Sequence, residues 1–213
     1  GPSFNPNSPR KLNTYWDKDT VELLNKKETD EYLIHKWNNP VVTDLYEPGS
    51  GFKSIVTAMT LENRQKVENE KFMCTGSEAI APGVFINCWR KHDPHGEQTL
   101  EEAFSNSCNP AYVQLIKKLG KEDFFDYGES LRFGKTTGVD LPNEQSGLFP
   151  KDSKIADVDF GPMSYGHSLS VTPIQMLSSM NSTVNGGHYY RPYVVEKIVN
   201  DQGEEVEKIE PHL

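Results

Sequence analysis

The sequence predicts an α+β fold that is mainly helical, with small hairpins as its strand content. Apolar residues recur at spacings of three and four in several windows. Pro twice follows an Asn or Thr of helix-start type. The runs that read as strands are few, short and bounded by turn residues. Thr20 to Lys26 and Thr29 to Trp37 read as short amphipathic helices carrying Val21, Leu23, Leu24 and Tyr32, Leu33, Ile34. Pro48-Gly49-Ser50 leads into Phe52, Ile55, Val56, Met59 and Leu61, a helical stripe. Phe72 to Cys74 and Val84 to Trp89 are expected to form a hairpin around Ala81-Pro82-Gly83. Thr99-Leu100-Glu101-Glu102 is a capping box that opens another helix. Asn109-Pro110 reads as an N-cap with Pro at the first helical position, and Val113, Leu115, Ile116 and Leu119 form the apolar face before Gly120 stops it. Residues 134–159, rich in Gly, Pro, Asn and Ser, read as an extended loop. Thr172-Pro173 starts a helix bearing Ile174, Met176 and Leu177, and Tyr189 to Val199 and Glu205 to Ile209 flank the turn Asn200-Asp201-Gln202-Gly203.

Composition narrows the function classes. The 213 residues are 35% apolar and 25% charged, enough for one core in one domain or two small ones. The 10 Phe, 9 Tyr and 3 Trp argue against a disordered chain. A net charge of −9 makes nucleic acid and anionic membrane surfaces poor partners. No apolar run is long enough to span a bilayer. Gly1-Pro2 reads as a protease-cleavage scar, leaving 3–213 for the fold.

Two short motifs carry chemistry. Ser50-Gly51-Phe52-Lys53 has the form S-x-x-K at a helix start. A serine hydroxyl needs a neighbouring base, and on a helix Lys53 shares a face with Ser50. The helix N-terminus also favours negative charge developing at Ser50. Ser107-Cys108-Asn109 follows 57 residues later, before the helix that starts at Asn109-Pro110. Ser107 offers a hydroxyl for proton relay and Asn109 an amide to hold a peptide group. As isolated features, both are also ordinary helix-capping residues.

Tyr46-Glu47-Pro48-Gly49-Ser50-Gly51-Phe52-Lys53, Asn106-Ser107-Cys108-Asn109-Pro110 and the run from Gly166-His167-Ser168 to Ile174-Gln175-Met176 together resemble the class B penicillin-binding proteins. These are D,D-transpeptidases that cross-link peptidoglycan. Phe133 to Pro142 and Pro2 to Asn7 match further segments, so the resemblance runs over nearly the whole chain in order. It implies the penicillin-binding/β-lactamase-type transpeptidase fold, with Ser50 as acylated nucleophile, Lys53 as its base, and Ser107 and Asn109 as the second motif. It also implies peptidoglycan stem peptides as substrate and β-lactams as covalent mimics. The parent protein would be anchored by an N-terminal helix, act on the extracytoplasmic face of the bacterial membrane and pair with a glycosyltransferase.

One departure stands out. The family's third motif, Lys-Thr/Ser-Gly on a core strand, is expected after the segment around Tyr190-Arg191-Pro192, and the chain reaches Leu213 without it. Lys135-Thr136-Thr137-Gly138 lies in the loop before Asp140-Leu141-Pro142 and does not substitute for it. The expectation is a partial transpeptidase domain without most of the central sheet, unable to turn over substrate alone. The rival reading is a stapled scaffold without catalysis.

Cys74, Cys88 and Cys108 lie close in sequence, with His92-Asp93-Pro94-His95 between the last two. Thiolates and imidazole suit tetrahedral Zn²⁺. Some family members of sporulation and elongation type bind zinc beside the active site. Cys74, Cys88, His95 and Cys108 are the expected ligands of a structural zinc stapling 70–110, with His92 or Asp93 as substitutes. Buried free thiols, a Cys74–Cys88 disulfide and surface histidines are the alternatives.

Overall fold

The computed structural model describes residues 33–34, 37–62, 67, 69–150 and 154–213. The helix expected over Thr20 to Lys26 lies outside them. Of Thr29 to Trp37 only Leu33, Ile34 and Trp37 are described, and these are helical. The order of elements is α1 (Pro40–Thr43), a 3₁₀ turn (Gly49–Gly51), α2 (Phe52–Glu62), β1 (Phe72–Cys74), β2 (Ser77–Ala81), β3 (Val84–Asn87), β4 (Gly96–Gln98), α3 (Leu100–Ser105), α4 (Asn109–Leu119), α5 (Lys121–Ser130), α6 (Asp157–Met163), α7 (Pro173–Val184), β5 (Lys197–Val199) and β6 (Glu205–Lys208). The fold is α+β and helix-rich, with three two-stranded antiparallel sheets among the described residues. No described helix is long and apolar enough to cross a membrane.

The core is aromatic. Phe52 from α2, Phe124 and Phe125 from α5, Phe160 from α6, and Phe133 and Phe149 from the intervening loops pack with ring centroids 5.3–6.4 Å apart. These are offset and edge-to-face geometries that favour aromatic pairs. Phe52 therefore fixes the first turn of α2 from below, two residues after Ser50. Helix α4 presents Leu115, Ile116 and Leu119 to the same core, buries Val113 as well, and ends where Gly120 takes φ +88°. Helices α3 and α7 start at Thr99 and Thr172 as expected, Thr99 with its expected capping box and Thr172 with a further one formed with Gln175.

Two local expectations are corrected, and one helix is added. Strand β1 pairs with β4, and the hairpin turning at Pro82-Gly83 is formed by β2 and β3. The cause is Gly76, whose left-handed φ of +98° and approach to the Lys91 carbonyl bend the chain between β1 and β2. The Cys88 N–H still bonds to the Gly76 carbonyl (2.9 Å), so the hairpin base carries Cys88 back to Cys74. The N-cap of α4 is Cys108, with Asn109 as its first helical residue, which frees the Asn109 side chain. Helix α5 follows Gly120 directly, so that glycine ends one helix and begins the next.

Helix α6 begins at Asp157, inside the stretch read as an extended loop. The described part of that stretch is irregular but closely tied. The Glu144 carboxylate accepts from the Thr137 N–H, the Thr137 hydroxyl and the Gly138 N–H, all at 2.6–2.9 Å. Buried Gln175 donates to the Lys135 and Ser146 carbonyls at 2.7 and 2.8 Å. Asp140 accepts from the Val194 and Val195 N–H groups at 2.7 and 2.8 Å, anchoring the exposed β5–β6 hairpin.

Candidate active site

Ser50 lies in the 3₁₀ turn that opens α2, placed there by Gly49 at φ +56°, a left-handed conformation natural to glycine. Lys53 sits one turn on, between Phe52 and Ile55 on the buried side of the helix, and is 1% exposed. A lysine so placed must find acceptors inside the protein, and they come from the turn between α3 and α4. That turn is a Schellman motif. The Cys108 N–H bonds to the Ala103 carbonyl (3.0 Å) and the Ser107 N–H to the Phe104 carbonyl (2.9 Å), while Ser107 adopts φ +49°. A left-handed non-glycine residue persists where its surroundings hold it. Here the hold comes from Lys53.

Lys53 Nζ lies 2.8 Å from the Ser107 carbonyl oxygen, 2.7 Å from Asn109 Oδ1, 2.9 Å from Ser107 Oγ and 3.3 Å from Ser50 Oγ. The two hydroxyl oxygens are 3.1 Å apart. An ammonium has three protons, so it cannot serve all four oxygens at once, and Ser50 is the most distant. The Tyr112 ring lies 5.3 Å from Nζ, and the Tyr112 hydroxyl bonds to Thr57 Oγ1 at 2.6 Å. Burial pulls the Lys53 pKa down to about 8, against the opposing pull of the Cys108 and Cys88 sulfurs. Neutral amine is therefore abundant at mildly alkaline pH.

The second cluster begins at the very next residue. The ligating atoms of Cys74, Cys88, His95 and Cys108 all lie within 4.8 Å of one another, and Cys88 Sγ is 3.5 Å from His95 Nδ1. All three cysteines are buried and free of disulfides. His92 and Asp93 do not join the group, and Asp93 pairs with Arg90. Burial raises the Cys108 and Cys88 thiol pKa values, opposed by the Gln98 side chain and the Ala111 N–H at Cys108 and by the Arg90 N–H at Cys88. At Cys74 burial also pushes upward, but the Gly76 and His95 N–H groups prevail and hold the thiol below its ordinary range. Burial and the Arg90 charge lower His95, which keeps its imidazole neutral as a metal ligand requires. N–H groups aimed at sulfur are the outer-shell support of thiolate sites. Three thiols and a neutral imidazole with that support fit a closed four-coordinate metal ion.

The whole chain can be set against known proteins at this point. Residues 1–212 match the family model described as the penicillin binding protein transpeptidase domain. The chain belongs to the penicillin-binding protein transpeptidase family. Stage V sporulation protein D of Bacillus subtilis is 39% identical over 169 residues, covering 78% of this chain and 26% of that protein. Peptidoglycan D,D-transpeptidase FtsI of Escherichia coli is 29% identical over 160 residues, 75% of this chain and 26% of that protein. The structure of penicillin binding protein 3 from Mycobacterium tuberculosis complexed with aztreonam superposes with a TM-score of 0.73 at 27% identity, over 82% of this chain and 39% of that one. The chain thus spans about a quarter of the length of the full relatives it matches.

In this penicillin-binding protein segment, Ser50, Lys53, Ser107 and Asn109 meet at one point, and Cys74, Cys88, His95 and Cys108 meet at another. The two are joined through Cys108, which lies between Ser107 and Asn109. Sequence reasoning missed Tyr112 and Thr57 as neighbours of Lys53. The available signal was one aromatic residue on a helix face that otherwise read as core.

The Lys53 environment makes a direct prediction. Its side chain, followed by the ¹³Cε resonance, titrates with a midpoint near the value of about 8 given above, while exposed lysines titrate at about 10.4. A Lys53 midpoint in the ordinary lysine range would show that the amine is better solvated than its burial implies.

Proposed function

We propose that the natural protein carrying this segment is a serine D,D-transpeptidase that cross-links peptidoglycan stem peptides. The observation that carries this reading is the placement of Lys53 Nζ between two proton-free acceptors and two hydroxyls. In neutral lysine, the two N–H bonds go to the Ser107 carbonyl and Asn109 Oδ1. The lone pair then faces the hydroxyls of Ser50 and Ser107, which makes Lys53 a base.

In the first half-reaction Ser50 Oγ bonds to the carbonyl carbon between the two terminal D-alanines, and its proton passes to Lys53 Nζ. The C–N bond then breaks, and the proton goes by way of Ser107 Oγ to the departing D-alanine amine. In the second half the amine of a neighbouring stem attacks the ester, the bond to Ser50 breaks, and the released amine proton restores the Ser50 hydroxyl. A β-lactam follows the first half only: its C–N bond is in a ring, so the leaving amine stays tethered and the ester persists. The α2 N-terminus at Ser50 supplies part of the stabilisation of the oxyanion. The family's second oxyanion donor accompanies the Lys-Thr/Ser-Gly strand, which residues 1–213 do not contain.

We assign Cys74, Cys88, His95 and Cys108 to a structural Zn²⁺. With four protein ligands it offers no open position to water, and no catalytic step runs through it. Its effect on chemistry is indirect, because Cys108 sits between Ser107 and Asn109. Similarity to the sporulation protein favours a sporulation role. The family resemblance adds action on the outer face of the cytoplasmic membrane, anchored by a helix of the natural protein and paired with a separate glycosyltransferase.

Two measurements test this reading. In the natural protein, fluorescent penicillin labels Ser50. Ser50→Ala abolishes the label, and Lys53→Met slows labelling at least ~10²-fold. Labelling that survives Ser50→Ala refutes the assignment. Elemental analysis of protein purified without chelator gives about one zinc per chain, falling sharply in Cys108→Ser. A ratio near zero in the unaltered protein removes the metal.

A further inference from the structure

Glu47 lies three residues before Ser50 and belongs to none of the groups assigned so far. Its carboxylate crosses to the segment after α6. Oε1 accepts from the Ser168 N–H at 3.0 Å and Oε2 pairs with His167 Nδ1 at 2.8 Å. The segment it grips is built for close approach. Helix α6 ends in a Schellman motif, with the His167 N–H on the Pro162 carbonyl, the Gly166 N–H on the Met163 carbonyl and Gly166 at φ +78°. A Cβ at Gly166 would lie 2.3 Å from the Gly49 oxygen and 2.9 Å from Phe52 Cβ, so this backbone packs directly on the turn that carries Ser50.

Three successive points of the chain before Ser50 are tied to 166–171. Tyr46 and Val171 exchange both backbone hydrogen bonds at 3.0 Å, Glu47 holds 167 and 168, and the Gly49 N–H bonds to the Gly166 carbonyl at 3.1 Å. Of the three, only Glu47 acts through a side chain. It also holds Ser168 at φ +60°, a left-handed conformation that a non-glycine residue keeps only under constraint. Lys53 fixes the far side of the Ser50 hydroxyl, and the Glu47 latch fixes the backbone behind it.

We propose that Glu47 is a positioning residue that sets the Ser50 nucleophile by latching the Gly166–Ser168 turn against Gly49. The proposal rests on Ser50 being the acylated residue, as argued above, and its test separates the two. Releasing the latch loosens Ser50 relative to Lys53, and reacting groups misplaced by about 1 Å can lose ~10²-fold in rate. A glutamine keeps the backbone half of the latch, because its Oε1 still accepts from the Ser168 N–H.

The experiment compares the natural protein with its Glu47→Ala and Glu47→Gln variants in two readouts. The first is benzylpenicillin acylation, resolved into initial binding and the acylation rate constant. Glu47→Ala is expected to lower the rate constant ~10-fold or more with binding unchanged, and Glu47→Gln to recover most of it. The second is hydrogen exchange at the Gly49 amide, which needs no acylation. Exchange speeds up in Glu47→Ala and returns towards the parent value in Glu47→Gln. Unchanged Gly49 exchange in Glu47→Ala overturns the latch. So does a rate constant equal to the parent's, or a Glu47→Gln variant as slow as Glu47→Ala. An unaltered protein that shows the exchange pattern but never acylates leaves the latch standing and defeats the transpeptidase reading instead.

Discussion

A lysine amine with almost no exposure to water must be held by the protein, and how Lys53 is held organises everything around it. Three of its four partners come from a single turn more than fifty residues away in sequence. The amine therefore joins α2 to the α3–α4 turn and, among the described residues, is the donor to the Ser107 carbonyl and Asn109 Oδ1. Removing it would leave those acceptors, both in half-buried residues, without that donor, at a cost of up to about 1–3 kcal/mol for each one that water does not reach. Stability and reactivity are thus set by the same contacts. The burial that lowers the amine's pKa also forces the turn to close on it.

The thiol cluster bears on that turn from the opposite side. Cys108 is at once the N-cap of α4, the last residue of the Schellman motif closing α3 and a member of the Cys₃His group. Its neighbours on either side face Lys53. A small displacement of the Cys108 sulfur would shift the backbone from which Ser107 and Asn109 project. The irregular region 70–98 is in turn held to α4 by Gln114, whose amide exchanges hydrogen bonds with the Met73 N–H and carbonyl at 3.1 and 2.7 Å. The Lys117–Glu78 pair adds a second tie. Short strands with few pairing bonds are stabilised here by anchorage at both ends.

Much of this site was legible in the sequence because its chemistry is local. Ser50 and Lys53 share a helix face by spacing alone, and Ser107 and Asn109 flank one residue. The capping box at Thr99, the helix start at Thr172-Pro173 and the stop at Gly120 are readable for the same reason. The misreadings arose where tertiary contacts overrode a local rule. Asn109-Pro110 has the form of an N-cap, yet Lys53 claims the Asn109 oxygen and the cap moves to Cys108. The partner of β1 was misjudged because the bend at Gly76 depends on a backbone 15 residues away at Lys91. The left-handed helix ends at Ser107 and Arg132 carry no glycine to announce them. Helix α5 was missed because Gly120 was read only as a stop.

The Lys53 amine and the Asn109 amide form one coupled unit. A double-mutant cycle of Lys53→Met and Asn109→Leu on unfolding free energy measures it directly. The expected coupling is about 1.5–3 kcal/mol, the range for a hydrogen bond to a charged group. Additive effects of the two substitutions would contradict it.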